Sequence, residues 1–374
     1  MTQEYFNNIH FYFHLLQIDG LGPNKILNLK SKFSSFYELN HSSYKSLLTI
    51  DGISDLLAKR IINSLKDMDS TRKDLYNELE ALHKIGGKAL PYFDDNYPSL
   101  LKRIYSPPLL LYIKGNFTQD DKDSLAIVGT RNPTSYGKKQ TEIIAKELSI
   151  NKITIVSGLA RGIDSIAHRT AVNNDSRTIA VIGSGLDVIY PKENLKLFEQ
   201  ITDNGAVISE YRLKTKPDAQ NFPKRNRIIS GMTLGTIVIE TKENGGALQT
   251  AHYALDQNRE VFAIPGNLGV PQSEGTNLLI KKGEAKLIQN VDDILDELKI
   301  KIKPKIGINI PKPKVELSLF EEKVYEILRE TEPIQIDKIS ELSGLSTSDC
   351  LVQLLTMEFK GLVKQLPGKN FQKA

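Results

Sequence analysis

Between Glu210 and Ser230 the chain carries six cations, Arg212, Lys214, Lys216, Lys224, Arg225 and Arg227, against two acids, Glu210 and Asp218. Three of the six stand in Phe222-Pro-Lys224-Arg225-Asn226-Arg227, behind an aromatic ring at the entrance of an expected helix. Cationic groups grip phosphate and a ring stacks a base, which are the two elements of sequence-tolerant single-strand binding. A surface salt-bridge cluster is the rival reading. The absence of any acid between Asp218 and Glu240 argues against it.

A second group of residues lies in short glycine turns: Gly129-Thr130-Arg131, Ser157-Gly158, Gly183-Ser-Gly185 and Gly245-Gly246. Such turns let backbone approach a ligand closely, and the amides of a helix that starts there suit an anion. Arg131 adds a bidentate phosphate fork inside the first turn. The third glycine of a GxGxxG fingerprint is missing after Gly183-Ser-Gly185, so the pattern implies phosphate binding without a dinucleotide. Lys192, in Tyr190-Pro-Lys-Glu-Asn, is a further candidate cation.

Groups able to do acid–base chemistry are Asp164, His168, Asp187, Glu210, Glu240 and His252, and they compose no recognisable set. There is no Walker lysine and no nucleophile elbow. With one cysteine, Cys350, and no HExxH pair among six histidines, neither a metal site nor a cofactor is expected.

These residues need a frame to converge. From Ser124 onward, short β-branched runs ending in glycine alternate with amphipathic stretches: SLAIVGTR, ITIVSGLARG, TIAVIGSGLD, AVISE, GTIVIET and EVFAIPG. The spacing predicts helices over 135–149, 161–173, 193–203, 223–232, 246–257 and 291–298. The fold class is therefore α/β, a Rossmann-like doubly wound, mostly parallel sheet, whose ligands sit beyond the carboxyl ends of the strands.

Ahead of it, residues 1–85 read as an N-terminal helical domain of helix-hairpin-helix (SAM-like) type. Ile18-Asp-Gly-Leu-Gly22-Pro and Ile50-Asp-Gly-Ile-Ser54 repeat one hairpin that delivers the chain into a helix. Residues 1–120 hold fourteen basic and thirteen acidic side chains, so a small interaction bundle that grips no DNA is an equal alternative there. The Rossmann-like domain is assigned to 86–298, with a lead-in over 86–120. A Lys/Pro linker follows over 299–314, and a C-terminal winged helix over 315–374, with helices at SLFEEKVYEILRE, 333–339 and 346–359.

The 374 residues suffice for several such domains, and 40% hydrophobic content with 25% charge is that of an ordinary globular protein. No apolar run reaches the roughly 18 residues of a membrane crossing, and the N-terminus lacks a signal-peptide pattern, so a cytoplasmic location away from membranes is expected.

The ordered series GTRNPTSYG, SGLARGIDSIAHRTA, GSGLDVIYPKEN, NFPKRNRIISG, ETKENGGALQTAHYALDQNREVFAIPG and EGTNLLIKKG closely resembles the bacterial DNA-processing protein A (DprA/Smf) family, from about Tyr92 to Leu298. The resemblance implies a non-enzymatic protein that binds and protects single-stranded DNA entering the cell in natural transformation. It further implies loading of RecA recombinase for homologous recombination, and a homodimer formed through the Rossmann-like domain. Carried over residue by residue, the strand-binding set is Arg131, Ser157, Gly158, Lys192, Phe222, Arg225, Asn226 and Arg227. Gly129, Thr130, Lys224, Gly245 and Gly246 join it from the turns and the basic segment.

Two departures from the family pattern stand out. Gly245-Gly246-Ala247-Leu248 replaces the usual Ser-Gly-Ser-Leu, which removes a hydroxyl contact and leaves backbone amides, and the loop from Glu210 to Lys216 lacks the usual Pro and Gly. The alternative is a nucleotide-processing enzyme of the phosphoribohydrolase-like Rossmann type, but GGALQTAHYA lacks that family's glutamate. In the winged helix, seven basic against ten acidic residues, and a recognition helix without Lys or Arg, predict a protein-contact module with DNA contact only through Lys360, Lys364 and Lys369.

Overall fold

A computed structural model describes residues 2–298, 317–329, 333–360, 362–366 and 368–373. Two compact units divide between residues 302 and 303. The Lys/Pro segment expected as a linker lies outside the described residues.

The first unit opens with six helices, α1 (Gln3–Leu15), α2 (Pro23–Lys32), α3 (Phe36–Asn40), α4 (Tyr44–Leu48), α5 (Asp55–Ser64) and α6 (Met68–Lys84). Both Asp-Gly hairpins place their glycine at positive φ, Gly20 at 84° and Gly52 at 79°. Pro23 then starts α2, and Ser54 caps α5 by accepting the Leu57 amide. Phe11, Leu15, Ile26, Leu29, Leu57 and Ile61 close the core between them. His10 and His14 of α1 stand four apart, so an HxxxH spacing is present after all. Both are turned on Thr71 Oγ1, at 3.0 and 2.8 Å, and no metal-holding cluster occurs among the described residues.

Strands β1 (Gly87–Pro91) and β2 (Leu110–Gly115) follow, then β3 (Ser124–Val128), α7 (Ser135–Ile150), β4 (Thr154–Ser157), α8 (Ile163–Asn173), β5 (Thr178–Ile182), α9 (Leu195–Asp203) and β6 (Ala206–Ser209). After these come α10 (Asn221–Gly231), β7 (Gly235–Val238), α11 (Gly246–Asp256), β8 (Glu260–Ala263), α12 (Pro271–Lys281), β9 (Lys286–Leu287) and α13 (Asp292–Leu298). They form one nine-stranded sheet in the order β1-β2-β6-β5-β4-β3-β7-β8-β9. β1 and β2 are antiparallel, and every pairing from β6 to β9 is parallel.

Strand residues alternate between two covered faces. Ala126 and Val128 pack with α10 and α11, whereas Leu125 and Ile127 pack with α7 and α8. Coverage on both sides is why these strands read as continuous apolar runs. The lead-in proved to be two added strands, and EGTNLLIKKG forms α12, neither of which was expected. The chain winds from β3 through β6 in one direction and from β7 through β9 in the other, so the topological switch lies between β3 and β7.

The second unit holds α14 (Leu319–Ile327), β10 (Ile334–Gln335), α15 (Ile336–Ser343), α16 (Thr347–Phe359), β11 (Val363–Leu366) and β12 (Asn370–Lys373). The helix expected over 333–339 starts later, because Ile334 and Gln335 pair with Phe371 and Asn370 in the sheet. It ends at Gly344, in the left-handed conformation. Lys360 is not a free DNA contact: its ammonium bonds both carboxylate oxygens of the buried Glu321, at 2.8 and 2.9 Å.

Candidate nucleic-acid interface

An open cleft of about 910 Å³ lies at the switch point, walled by the turns that follow β3 and β7 and by the start of α10. The β3 turn is held from two sides. The Thr130 amide donates to the Glu240 carbonyl at 2.7 Å, and the Ile163 amide donates to the Thr130 carbonyl at 3.2 Å. Gly162, at φ 76°, has no room for a side chain, since a Cβ would fall 2.4 Å from the Thr130 carbonyl and 2.6 Å from that of Arg131. Gly129 is equally crowded, against Ile163 and Glu240. Arg131 therefore leaves a fixed backbone with its side chain exposed, and its guanidinium lies 5.6 Å from the centre of the Phe222 ring.

Phe222 occupies the first turn of α10, which begins two residues earlier than expected. Its ring packs over Gly183 and beside Tyr190, with ring centres 5.8 Å apart. Asn226 lines the cleft one turn further on. Across the opening, Gly245 caps α11 without a side chain, and a Cβ on Gly246 would meet nothing within 4 Å. The first amides of α11 are thus a ready partner for an anion.

Four of the other expected strand contacts, Ser157, Gly158, Arg225 and Arg227, are used within the protein. Arg225 is 4% exposed; its Nη1 donates to the carbonyl of Gly158 at 2.6 Å and also to that of Val181. Burial pulls this guanidinium down to about 10, against the opposing pull of Asp164. Burial likewise pushes the Asp164 carboxyl above its ordinary range, although Arg225 and the Ala160 and Gly158 amides favour its charged form. Gly158 must be glycine here, because a Cβ would lie 2.6 Å from Asp164 Oδ2 and 2.7 Å from Arg225 Nη2.

Arg227 Nη2 donates to Glu210 Oε1 at 2.7 Å in a largely buried pair. The Ser157 hydroxyl donates to the Ile127 carbonyl at 2.6 Å. The reading of Arg225 and Arg227 as free phosphate forks, and of the segment as lacking acidic partners, is corrected accordingly. Glu210 is seventeen residues from Arg227 along the chain but adjacent to it in space. A helical signal was present for Arg225, whose positions three and four further on, Ile228 and Ile229, are the buried stripe of α10.

Lys192 and Lys224 are exposed and stand outside the residues lining the cleft. Arg212 is engaged with α6 and α1. Its guanidinium lies 3.4 Å from Glu78 Oε2 and 4.6 Å from the centre of the Phe13 ring, and Glu78 Oε1 accepts the Leu213 amide at 2.7 Å. Lys242, Glu243, Asn244 and Glu274 also line the cleft; they lie inside the ETKENGGALQ and EGTNLLIKKG segments, where the sequence reading takes only Gly245 and Gly246 as contacts.

The groups considered for catalysis are dispersed into structural tasks. Glu240 accepts the amide and hydroxyl of Thr134 at the entrance of α7, at 2.9 and 2.5 Å. His168 is wholly buried, its Nδ1 2.7 Å from Thr178 Oγ1, and burial lowers its pKa to about 3. Asp187 accepts the Lys214 amide, and His252 lies by Glu284.

Residues 88–299 match the family model described as DNA recombination-mediator protein A, residues 311–369 the DprA winged helix domain, and residues 13–67 a SAM-like helix-hairpin-helix tandem. Protein Smf of Synechocystis sp. is 34% identical over 395 residues, covering 96% of each chain. DNA processing protein DprA of Bacillus subtilis is 45% identical over 221 residues, 59% of this chain and 74% of that protein. Among solved structures, DprA of Streptococcus pneumoniae superimposes with a TM-score of 0.66 at 35% identity, over 77% of this chain and 97% of that one. A Helicobacter pylori DNA processing protein A structure, reported for its single-stranded DNA binding mode, gives 0.52 at 33% identity, over 57% and 95%. Among the described residues, no helix is long and apolar enough to cross a membrane.

Proposed function

This chain belongs to the DNA recombination-mediator protein A (DprA/Smf) family, and from that premise we propose that it binds single-stranded DNA in the switch-point cleft and loads RecA recombinase onto it. The reading includes protection of DNA that enters the cell in natural transformation, action as a homodimer through the Rossmann-like domain, and no bond-making chemistry of its own. The observation that carries it is the Arg131 guanidinium beside the Phe222 ring, a phosphate fork and a stacking platform at one mouth.

In this reading Arg131, Phe222 and Asn226 touch the strand, together with the backbone of Gly129, Thr130, Gly245 and Gly246. Lys192 and Lys224 act from outside the cleft on flanking phosphates. Ser157, Gly158, Arg225 and Arg227 hold the platform in place. Duplex reading by α16 is not part of the proposal, because that helix has no Lys or Arg and exposes Val352 and Leu355.

Filter binding to an oligothymidylate across a salt series, with wild type and Arg131→Ala side by side, tests the reading. The expected result is salt-sensitive binding that the substitution weakens strongly; equal binding by both proteins would refute it. RecA filament assembly on the same strand, followed with and without the protein, tests the loading step. Release of free base from a nucleoside monophosphate would favour the enzymatic alternative instead.

A further inference from the structure

Arg131 borders more than the cleft. Besides the cleft, it lines a groove of about 560 Å³ between α7 and α8, whose walls also carry Lys138, Glu142, Arg161, Arg169 and Glu193. Four cations thus face two carboxylates. Arg161 and Glu193 are paired with each other, Nη2 donating to Oε2 at 3.1 Å in addition to a shorter Nε bond, and both side chains are more than half exposed. Arg131, Lys138 and Arg169 make no ion pair with any described residue, although Glu142 stands one turn from Lys138 on α7. Cleft and groove meet at a fixed point, because the Arg131 carbonyl is packed against Gly162 immediately before α8.

A strand held at Arg131 that leaves the cleft on this side enters a groove whose lining includes Lys138 and Arg169, the two other cations there without an ion pair among the described residues. We propose that the groove between α7 and α8 is a second stretch of the single-strand path, one that takes the phosphate backbone beyond the cleft. The Arg161–Glu193 pair opens as a phosphate takes the place of the carboxylate. This rests on the single-strand reading of the cleft. Exposed ion pairs are weak, so little opposes that exchange. No aromatic ring lines the groove, and its grip is on the backbone alone. Its contribution is therefore electrostatic and is lost with salt.

The experiment compares oligothymidylates of about six and about twenty residues, the first within the site of a single cleft and the second reaching past it. Lys138→Ala/Arg169→Ala weakens binding of the long strand by about tenfold at low salt and lowers its salt slope by about 1.4, near 0.7 per phosphate contact, and leaves the short strand unchanged. Glu193→Gln frees Arg161 and strengthens binding of the long strand alone, a gain that a damaged fold would not produce. If the double variant binds the long strand with the wild-type slope while Arg131→Ala weakens both strands, the groove is refuted and the cleft stands. If Arg131→Ala changes neither strand, the cleft reading fails and the groove fails with it.

Discussion

Arg225 Nη1 donates a 2.6 Å hydrogen bond to the carbonyl oxygen of Gly158, fastening the basic helix α10 to the loop after β4. The most conspicuous arginine of the basic segment is thereby a structural bolt beneath the cleft, which Arg131 and Lys242 face. Two arginines that look alike in sequence should fail in different ways when removed.

Arg225→Ala strands the carbonyls of Gly158 and Val181 and takes a cation from beside the buried Asp164. Its expected cost is on the order of 3 kcal/mol of folding stability. Arg131→Ala should stay within about 0.5 kcal/mol of wild type while losing DNA affinity. Urea denaturation run beside the binding titration separates the two, and a stable Arg225→Ala protein would contradict the assignment.

Phe222→Ala should reduce affinity by about 1–3 kcal/mol for the base it stacks. Because no phosphate contact is removed directly, the salt slope should barely change, in contrast with Arg131→Ala. Phe222→Tyr keeps a ring and should bind close to wild type. The slopes of the three variants, measured on one oligonucleotide, check the division of labour.

Stability should fall on acidification well before the carboxylates titrate. Burial holds His10 down to about 4 and His168 to about 3, against an ordinary value of 6.5. The folded protein refuses protons that the unfolded chain accepts, so each histidine removes about 1.4 kcal/mol per pH unit as pH drops below 6.5. The loss continues until the folded pKa is reached. His168→Leu should flatten this dependence, whatever its effect on stability at neutral pH. Unfolding free energies between pH 7 and 4.5 provide the measurement, and parallel curves for the two proteins would count against a neutral buried His168.

The N-terminal domain should steady the loop that leads into α10. Glu78 accepts the Leu213 amide at 2.7 Å, and Asp187 Oδ1 accepts the Lys214 amide at 2.7 Å. Glu78→Ala should speed hydrogen exchange of the Leu213 amide by about tenfold or more, which corresponds to one hydrogen bond of roughly 1–2 kcal/mol. Unaltered exchange there would show that the loop is held by other means.

Much of the architecture could be read directly from residue order. Short β-branched runs closed by glycine, alternating with amphipathic stretches, are compatible with little besides a parallel sheet covered on both faces. The turns Gly129-Thr130-Arg131 and Gly245-Gly246 then had to fall at strand ends. The Asp-Gly hairpins before α2 and α5 were legible for the same reason: glycine at positive φ and a good helix start are local demands. Local chemistry thus determined the elements, their class and the end of the sheet at which a ligand would sit.

Which cations face that ligand was decided only by tertiary structure. Arg227 is neutralised by Glu210, seventeen residues earlier, Arg212 by Glu78 on α6, and Arg225 is satisfied by carbonyls after β4 and on β5. A charge count along the chain cannot see these partners. Ion pairs and buried hydrogen bonds depend on distance in space, and the crossovers of a doubly wound sheet bring together residues the sequence keeps far apart.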